Sequence, residues 1–173
     1  MKFRALSLLV LTFFSISCSH TDSKRSIKLV AGNDSLIFAE EVHFKSIRQI
    51  TFGGDNAEAY WSFDDQQLIF QSNNKEWGVE CDQMFLMNAN ETFSEKVPPM
   101  ISTGKGRTTC AYFLPDNKHY VYGSTHLGGE ECPPAPLRKN GRYVWPIYDS
   151  YDILVYDLEE NIENQLTNEK GYE

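Results

Sequence analysis

Few residues in this chain are of types and spacings that do chemistry. Cys81, Cys110 and Cys132 lie far apart, without the close Cys-x-x-Cys spacing of structural zinc sites. The histidines His20, His43, His119 and His126 are isolated in sequence from residues that would serve as nucleophiles beside them. No Gly-x-Ser-x-Gly elbow, His-Glu-x-x-His pair or phosphate-cradling glycine loop occurs. A non-catalytic protein with no cofactor and no metal is therefore expected. The least generic stretch is Thr125 to Asp149, which interleaves Arg138, Lys139 and Arg142 with Tyr143, Trp145 and Tyr148. Long excursions on a rigid scaffold are where binding residues concentrate, so a peptide, a glycan or a partner surface is expected there. The alternative is that these aromatics only pin the loop.

One further cysteine has a different setting. Lys2 and Arg4 precede an apolar run from Ala5 to Phe14 that is too short to span a bilayer and has the length of a signal-peptide core. Ser15-Ile16-Ser17-Cys18 resembles a lipobox, with Ser15 where that motif prefers leucine. The resemblance implies cleavage after Ser17, lipid attachment at Cys18, and a location in the cell envelope, anchored to a membrane on its periplasmic or surface face. An ordinary signal peptide with Cys18 as a bystander is the alternative. Ser19 to Ser26, polar and unpatterned, would form a flexible stalk.

Without the signal, the chain is long enough for one domain. The net charge of -8 argues against nucleic acid as a partner, since phosphate binding needs a basic face. Hydrophobic residues at 41% and aromatics at 13% mark a folded protein and not a disordered one. In an oxidising compartment the three remaining cysteines predict one pair and one free thiol.

The elements that position these residues read as short strands: Glu41 to Ile50, Ala57 to Ser62, Gln67 to Gln71, Gln83 to Met87, Cys110 to Phe113, His119 to Gly123 and Asp152 to Asp157. The fold class is all-β. The strands also repeat. Trp61-Ser62-Phe63-Asp64-Asp65 with Leu68-Ile69-Phe70 matches Phe113-Leu114-Pro115-Asp116-Asn117 with Tyr120-Val121-Tyr122, shifted by 52 positions. Asp82 to Asn88 matches Tyr151 to Asp157 at a shift of 69, so the second unit carries an insertion of 17 residues. Gln165-Leu166-Thr167 echoes Gln49-Ile50-Thr51 and reads as the opening of a third unit. Ala57, Ala59 and Trp61 read as one face of a strand, and Asp64 and Asp116 as turn formers that accept backbone amides.

Ile50-Thr51-Phe52-Gly53-Gly54, Asn56-Ala57-Glu58 and Trp61-Ser62-Phe63-Asp64-Asp65 resemble the TolB-type β-propeller repeat, and Pro115-Asp116 keeps part of the pattern in the second copy. Phe63 stands where that pattern has proline, and Asp65 and Asn117 where it has glycine; both types tolerate a left-handed turn position. The resemblance implies blades of four antiparallel strands. About two are present in an incomplete propeller, which closes with about four to eight. The implied divisions are 1-17 signal, 18-40 tether and N-terminal segment, and 41-173 partial propeller, with blades near 47-99 and 100-163 and a further blade opening at 164-173.

The same topology implies that Cys81, Cys110 and Cys132 share one rim, where a disulfide among them is expected and a Cys/His metal site with His126 is the lesser alternative. Lys105, Arg107, His126, Arg138, Arg142, Tyr143 and Trp145 would form the ligand or partner surface on that rim. Two functions fit: a lipid-tethered scaffold that binds protein or peptide, or the front of a longer exported hydrolase whose catalytic domain follows.

Overall fold

The computed structural model describes residues 38-93, 96-134, 138-142, 144 and 147-171. The signal, Cys18, the stalk, Tyr143 and Trp145 lie outside them. Seven strands follow in chain order: β1 (Asp55–Trp61), β2 (Gln67–Asn73), β3 (Gln83–Asn88), β4 (Thr108–Phe113), β5 (His119–Ser124), β6 (Asp152–Asp157) and β7 (Ile162–Gln165). They form two antiparallel sheets in sequential order, β1-β2-β3 and β4-β5-β6-β7. The protein is all-β, with a single 3-10 turn, Lys75–Trp77, as the only helical element among the described residues.

The repeat is written into the backbone. A bulge interrupts β1 against β2 between Ala57 and Tyr60, and another interrupts β4 against β5 between Thr109 and Tyr112. Each holds a non-glycine residue in the left-handed region, Glu58 at φ 49° and Cys110 at φ 53°, 52 positions apart. A bulge adds one residue and so reverses which face follows. Ala57 pairs with Gln71 and Trp61 with Leu68, so Ala57 sits on the face opposite Ala59 and Trp61. The expected single face for all three is therefore corrected: strict alternation fails where a residue is added.

Both hairpins close in the same way. Asp65 and Asn117 take φ 57° and 58°, which completes a turn whose twist suits the flanking strands. Asp64 Oδ1 accepts the Gln66 amide at 3.2 Å, and Asp116 Oδ1 accepts those of Lys118 and His119 at 3.0 and 3.1 Å. The strand pairs that follow keep the shift of 52 on one side and 69 on the other, Gln67 facing Asn88 and His119 facing Asp157. Gly54 and Gly106 enter β1 and β4 at φ 64° and 58°. A Cβ on Gly54 would lie 2.6 Å from the Asn74 Cβ, and one on Gly106 would lie 2.7 Å from the His126 amide nitrogen, so each glycine admits the chain leaving the next strand.

Three expectations are revised. Glu41 to Ile50 forms no strand: Val42 and Phe44 are exposed, and the segment is held by Arg48, which donates to the carbonyls of Ala89 and Glu91. An alternating pattern without a partner edge cannot form a ladder. The first sheet has three regular strands, not four. Its fourth position is a single bridge from Met100 to Phe85, flanked by bonds from Leu86 N to Pro99 O and from Ile101 N to Met84 O. Pro98 and Pro99 have no amide hydrogen and cannot extend it. Gln165 to Thr167 completes the second sheet instead of opening another, since Gln165 ends β7 and Leu166 N bonds to Ile153 O at 2.8 Å.

The sheets pack face to face. Ile69 and Met84 of the first meet Ala111, Phe113, Tyr120, Tyr122 and Leu154 of the second. A second cluster, Leu68, Phe70, Phe85 and Met87 with Val79 and Phe93, lies on the other face of the first sheet, under Ile50 and Trp77. Two sheets do not close a ring, and none closes among the described residues.

Candidate functional site

At one end of the sheets three segments converge: the start of β3, the loop before β4, and the root of the insertion after β5. Cys81 and Cys132 form a disulfide there, with Cα atoms 5.9 Å apart and 51 positions between them. Cys81 is buried against the Gly106 carbonyl. Cys110 does not join this rim. It lies within β4 at the bulge, exposed and unbridged, because the strand starts at Thr108. The expected placement of three thiols together is corrected to two.

The loop before β4 is fixed by Gln83. Its Nε2 donates to Gly106 O at 2.9 Å, while its Oε1 accepts from Ser102 Oγ at 2.7 Å and from the Gly104 amide at 3.2 Å. Arg107 Nη1 lies 3.3 Å from Asp82 Oδ2. Burial raises the Asp82 carboxyl above its usual range, and the guanidinium pulls it partly back. Lys105 pairs with Glu130 on the insertion. Both cations expected to face a ligand are thus engaged within the protein. An open groove beside the disulfide is lined by Glu80, Glu130 and Glu131.

His126 stands at the root of the insertion and is not isolated in space. Its Nδ1 lies 2.8 Å from Ser124 Oγ and its Nε2 lies 2.9 Å from Glu163 Oε1 on β7, whose other oxygen accepts from the Tyr122 hydroxyl. Burial lowers the His126 pKa and raises that of Glu163. Ser124 Oγ also accepts the His126 amide at 3.3 Å. With the hydrogen on Nε2, the ring donates to Glu163 and Nδ1 accepts from the Ser124 hydroxyl. The order serine, histidine, carboxylate resembles a nucleophilic triad, but Ser124 is 0% exposed and its oxygen meets no solvent. The trio anchors the insertion across β5 and β7. Sequence reading missed it because Glu163 is 37 residues from His126, on a strand that its pattern did not show.

Beyond the root, Gly128 passes so close to Ser150 that a Cβ would meet the serine Cβ at 2.5 Å, which brings the two ends of the insertion together. Tyr148 donates to Pro134 O and lies 6.0 Å from Tyr151, and so pins the loop. At the tip, Lys139 and Arg142 exchange backbone hydrogen bonds of 3.1 and 3.0 Å around Asn140 and Gly141, whose φ values of 53° and 74° define a tight two-residue hairpin. Arg138, Lys139 and Arg142 are exposed, and their side chains meet no carboxylate among the described residues. Among those residues no three His, Cys, Asp or Glu side chains converge as metal ligands.

These features define an all-β protein with a stapled insertion at one end of its sheets. The chain matches no protein-family model, and no curated protein matches it.

Proposed function

We propose that this chain is an envelope-tethered scaffold, built from blades of a TolB-like propeller, that binds protein or peptide through its insertion and carries out no chemistry itself. The blade reading is supported by the bulge, turn and register that recur at constant shifts in both sheets. The binding reading rests on one observation. The insertion is stapled at its root by Cys81–Cys132 and by His126–Glu163, yet ends in an exposed cationic hairpin whose Arg138, Lys139 and Arg142 meet no carboxylate among the described residues. A rigid root with an exposed charged tip favours recognition of an acidic peptide or protein surface. Export and attachment through Cys18 agree with a disulfide, which forms in oxidising compartments.

The test is photo-crosslinking in intact cells from a photoreactive residue at position 139. Discrete protein adducts are expected that vanish in the R138E/R142E double variant and persist in Lys118→Glu, at the opposite end of the sheets. No adducts, or adducts indifferent to charge reversal, would overturn the binding role.

A further inference from the structure

The two sulfurs of the Cys81–Cys132 bridge face different surroundings. Cys81, just before β3, is 2% exposed, and its Sγ lies 3.0 Å from the Gly106 carbonyl oxygen. A bridged sulfur carries no hydrogen to give that acceptor, whereas a thiol does. Cys132 is only partly covered and lines, with Glu130 and Glu131, the open groove of about 560 Å³ beside the bridge. Its Sγ lies 3.9 Å from Arg107 Nη2, while Nη1 of the same guanidinium lies 3.3 Å from Asp82 Oδ2. Arg107 Nε is buried and meets no acceptor among the described residues.

A guanidinium beside a sulfur favours the thiolate over the thiol. Each sulfur therefore has a neighbour whose strongest interaction is with the reduced form: a carbonyl for the Cys81 thiol and a cation for the Cys132 thiolate. Stabilising the reduced form makes a disulfide easier to reduce. The bridge also holds the insertion in place. Among the described residues from 133 to 147, the hydrogen bonds stay within the insertion, between Lys139 and Arg142 and from Tyr148 to Pro134. Cys132 is thus where that segment is tied to the sheets.

We propose that Cys81–Cys132 is a reducible staple, opened by a protein dithiol that attacks at Cys132 and so releases the segment carrying the cationic hairpin. A thiolate of the dithiol attacks Cys132 Sγ from the groove, the bond between the two Sγ atoms breaks, and the Cys81 sulfur leaves with the bonding pair. That sulfur takes a proton from water and donates a hydrogen bond to the Gly106 carbonyl. The second thiol of the partner loses its proton to water, attacks the mixed disulfide, and displaces Cys132 as a thiolate beside Arg107. The bridge has gained two electrons, and the partner is oxidised to a disulfide. The clamp of His126 on Glu163 is untouched by this exchange, so the root stays docked while the segment beyond Cys132 is loosened. The inference depends on these side chains, and not on the blade reading or on the binding role of the insertion.

The test uses the processed chain with Cys18→Ser and Cys110→Ser, so that no other thiol exchanges, equilibrated in mixtures of reduced and oxidised glutathione. Thiols are trapped with a maleimide-bearing polymer and counted by gel shift. Half-reduction within the range of these mixtures is expected, whereas a purely structural bridge stays closed throughout. Arg107→Gln should shift the equilibrium about tenfold towards the disulfide, which equals about 30 mV. Asp82→Asn leaves the guanidinium to the sulfur alone and should shift it towards the thiols. Variants that merely loosened the fold would both shift towards the thiols, so the opposed signs separate the two explanations. With Cys81→Ser added, Cys132 is the sole thiol, and its alkylation by iodoacetamide should reach half its maximal rate below the ordinary pH of about 8.5. Arg107→Gln should return that midpoint to the ordinary value. Trypsin should cut after Arg138, Lys139 or Arg142 about tenfold faster in the reduced chain than in the oxidised one. A bridge that resists every glutathione mixture, variants that shift the equilibrium alike or not at all, an ordinary alkylation midpoint at Cys132, or equal tryptic rates would each overturn the proposal.

Discussion

The two sheets share their backbone devices and differ in what covers them. Bulge, left-handed turn residue and strand register recur at fixed shifts, because each depends on a few neighbouring residues. Burial recurs on the middle strands, where Leu68 and Phe70 match Tyr120 and Tyr122, but not on the first strand of each sheet. Phe113 is sealed between the sheets while Trp61, its counterpart, is half in solvent. Equal local sequence therefore specifies equal local geometry but not equal energetic weight, which is set by the neighbour that arrives from elsewhere in the chain.

The sharpest way to break this comparison is truncation at the paired positions. Phe113→Ala removes a fully buried ring from the shared core and is expected to cost about 3–5 kcal/mol. Trp61→Ala is expected to cost about 1 kcal/mol or less, as at other solvent-facing positions. Urea denaturation of both variants decides the matter, and equal losses would show that the two positions are equally enclosed.

A smaller contrast separates the turns. Asp65 and Asn117 share the left-handed conformation, but Asn117 Oδ1 also accepts the Phe63 amide at 2.7 Å and so ties the second hairpin to the first. Asp65→Gly relieves backbone strain and should stabilise by up to about 1 kcal/mol. Asn117→Gly gains the same relief but loses the inter-hairpin bond, and should be neutral or destabilising by about 1 kcal/mol. Thermal melts of the two variants should therefore move apart.

The smallest expected effect is a pH dependence confined to the second hairpin. His119 Nδ1 lies 2.7 Å from Asp116 Oδ2 and its Nε2 lies 3.2 Å from Asp157 Oδ2, whereas the matching residue of the first hairpin is Gln67, which does not titrate. Hydrogen bonds from the Lys118 and His119 amides hold the Asp116 carboxyl down at about 2, against an ordinary 3.8. Its contribution is present above 3.8 and lost as pH falls through about 2. The hydrogen bond to Asp116 raises the His119 pKa above its ordinary 6.5, so that contribution is full below 6.5 and fades as pH rises through the higher folded value. Stability curves should show the gap between parent and Asp116→Ala closing at the acid end. The gap between parent and His119→Ala should close at the alkaline end, and pH-independent gaps would remove the contrast between the hairpins.

Much of the fold was legible because its determinants are local. The alternation of Tyr120, Tyr122 and Ser124 with less buried neighbours marks β5 directly. The aspartates of the two turns are short polar groups beside residues that tolerate positive φ. What was illegible depended on partners distant in sequence. Val42 and Phe44 alternate like strand residues yet have no edge to join. The strand Ile162–Gln165 carries Glu and Asn and shows no apolar period, and it exists because β6 offers an edge to pair with. At the candidate site, the cationic tip and its turn could be read from Lys139-Asn140-Gly141-Arg142. The engagement of Lys105 by Glu130 and of Arg107 by Asp82 could not, since both acids arrive by chain reversal.

The sequence by itself determined the class of strands, the two turns and the period that relates them, because hydrophobic alternation and positive-φ residues act within a few positions. The tertiary structure alone decided which thiols pair, which face of each sheet is covered, and that His126 is clamped between Ser124 and Glu163. These outcomes depend on which segments a folded chain brings within a few ångströms of one another, and local pattern carries no record of that.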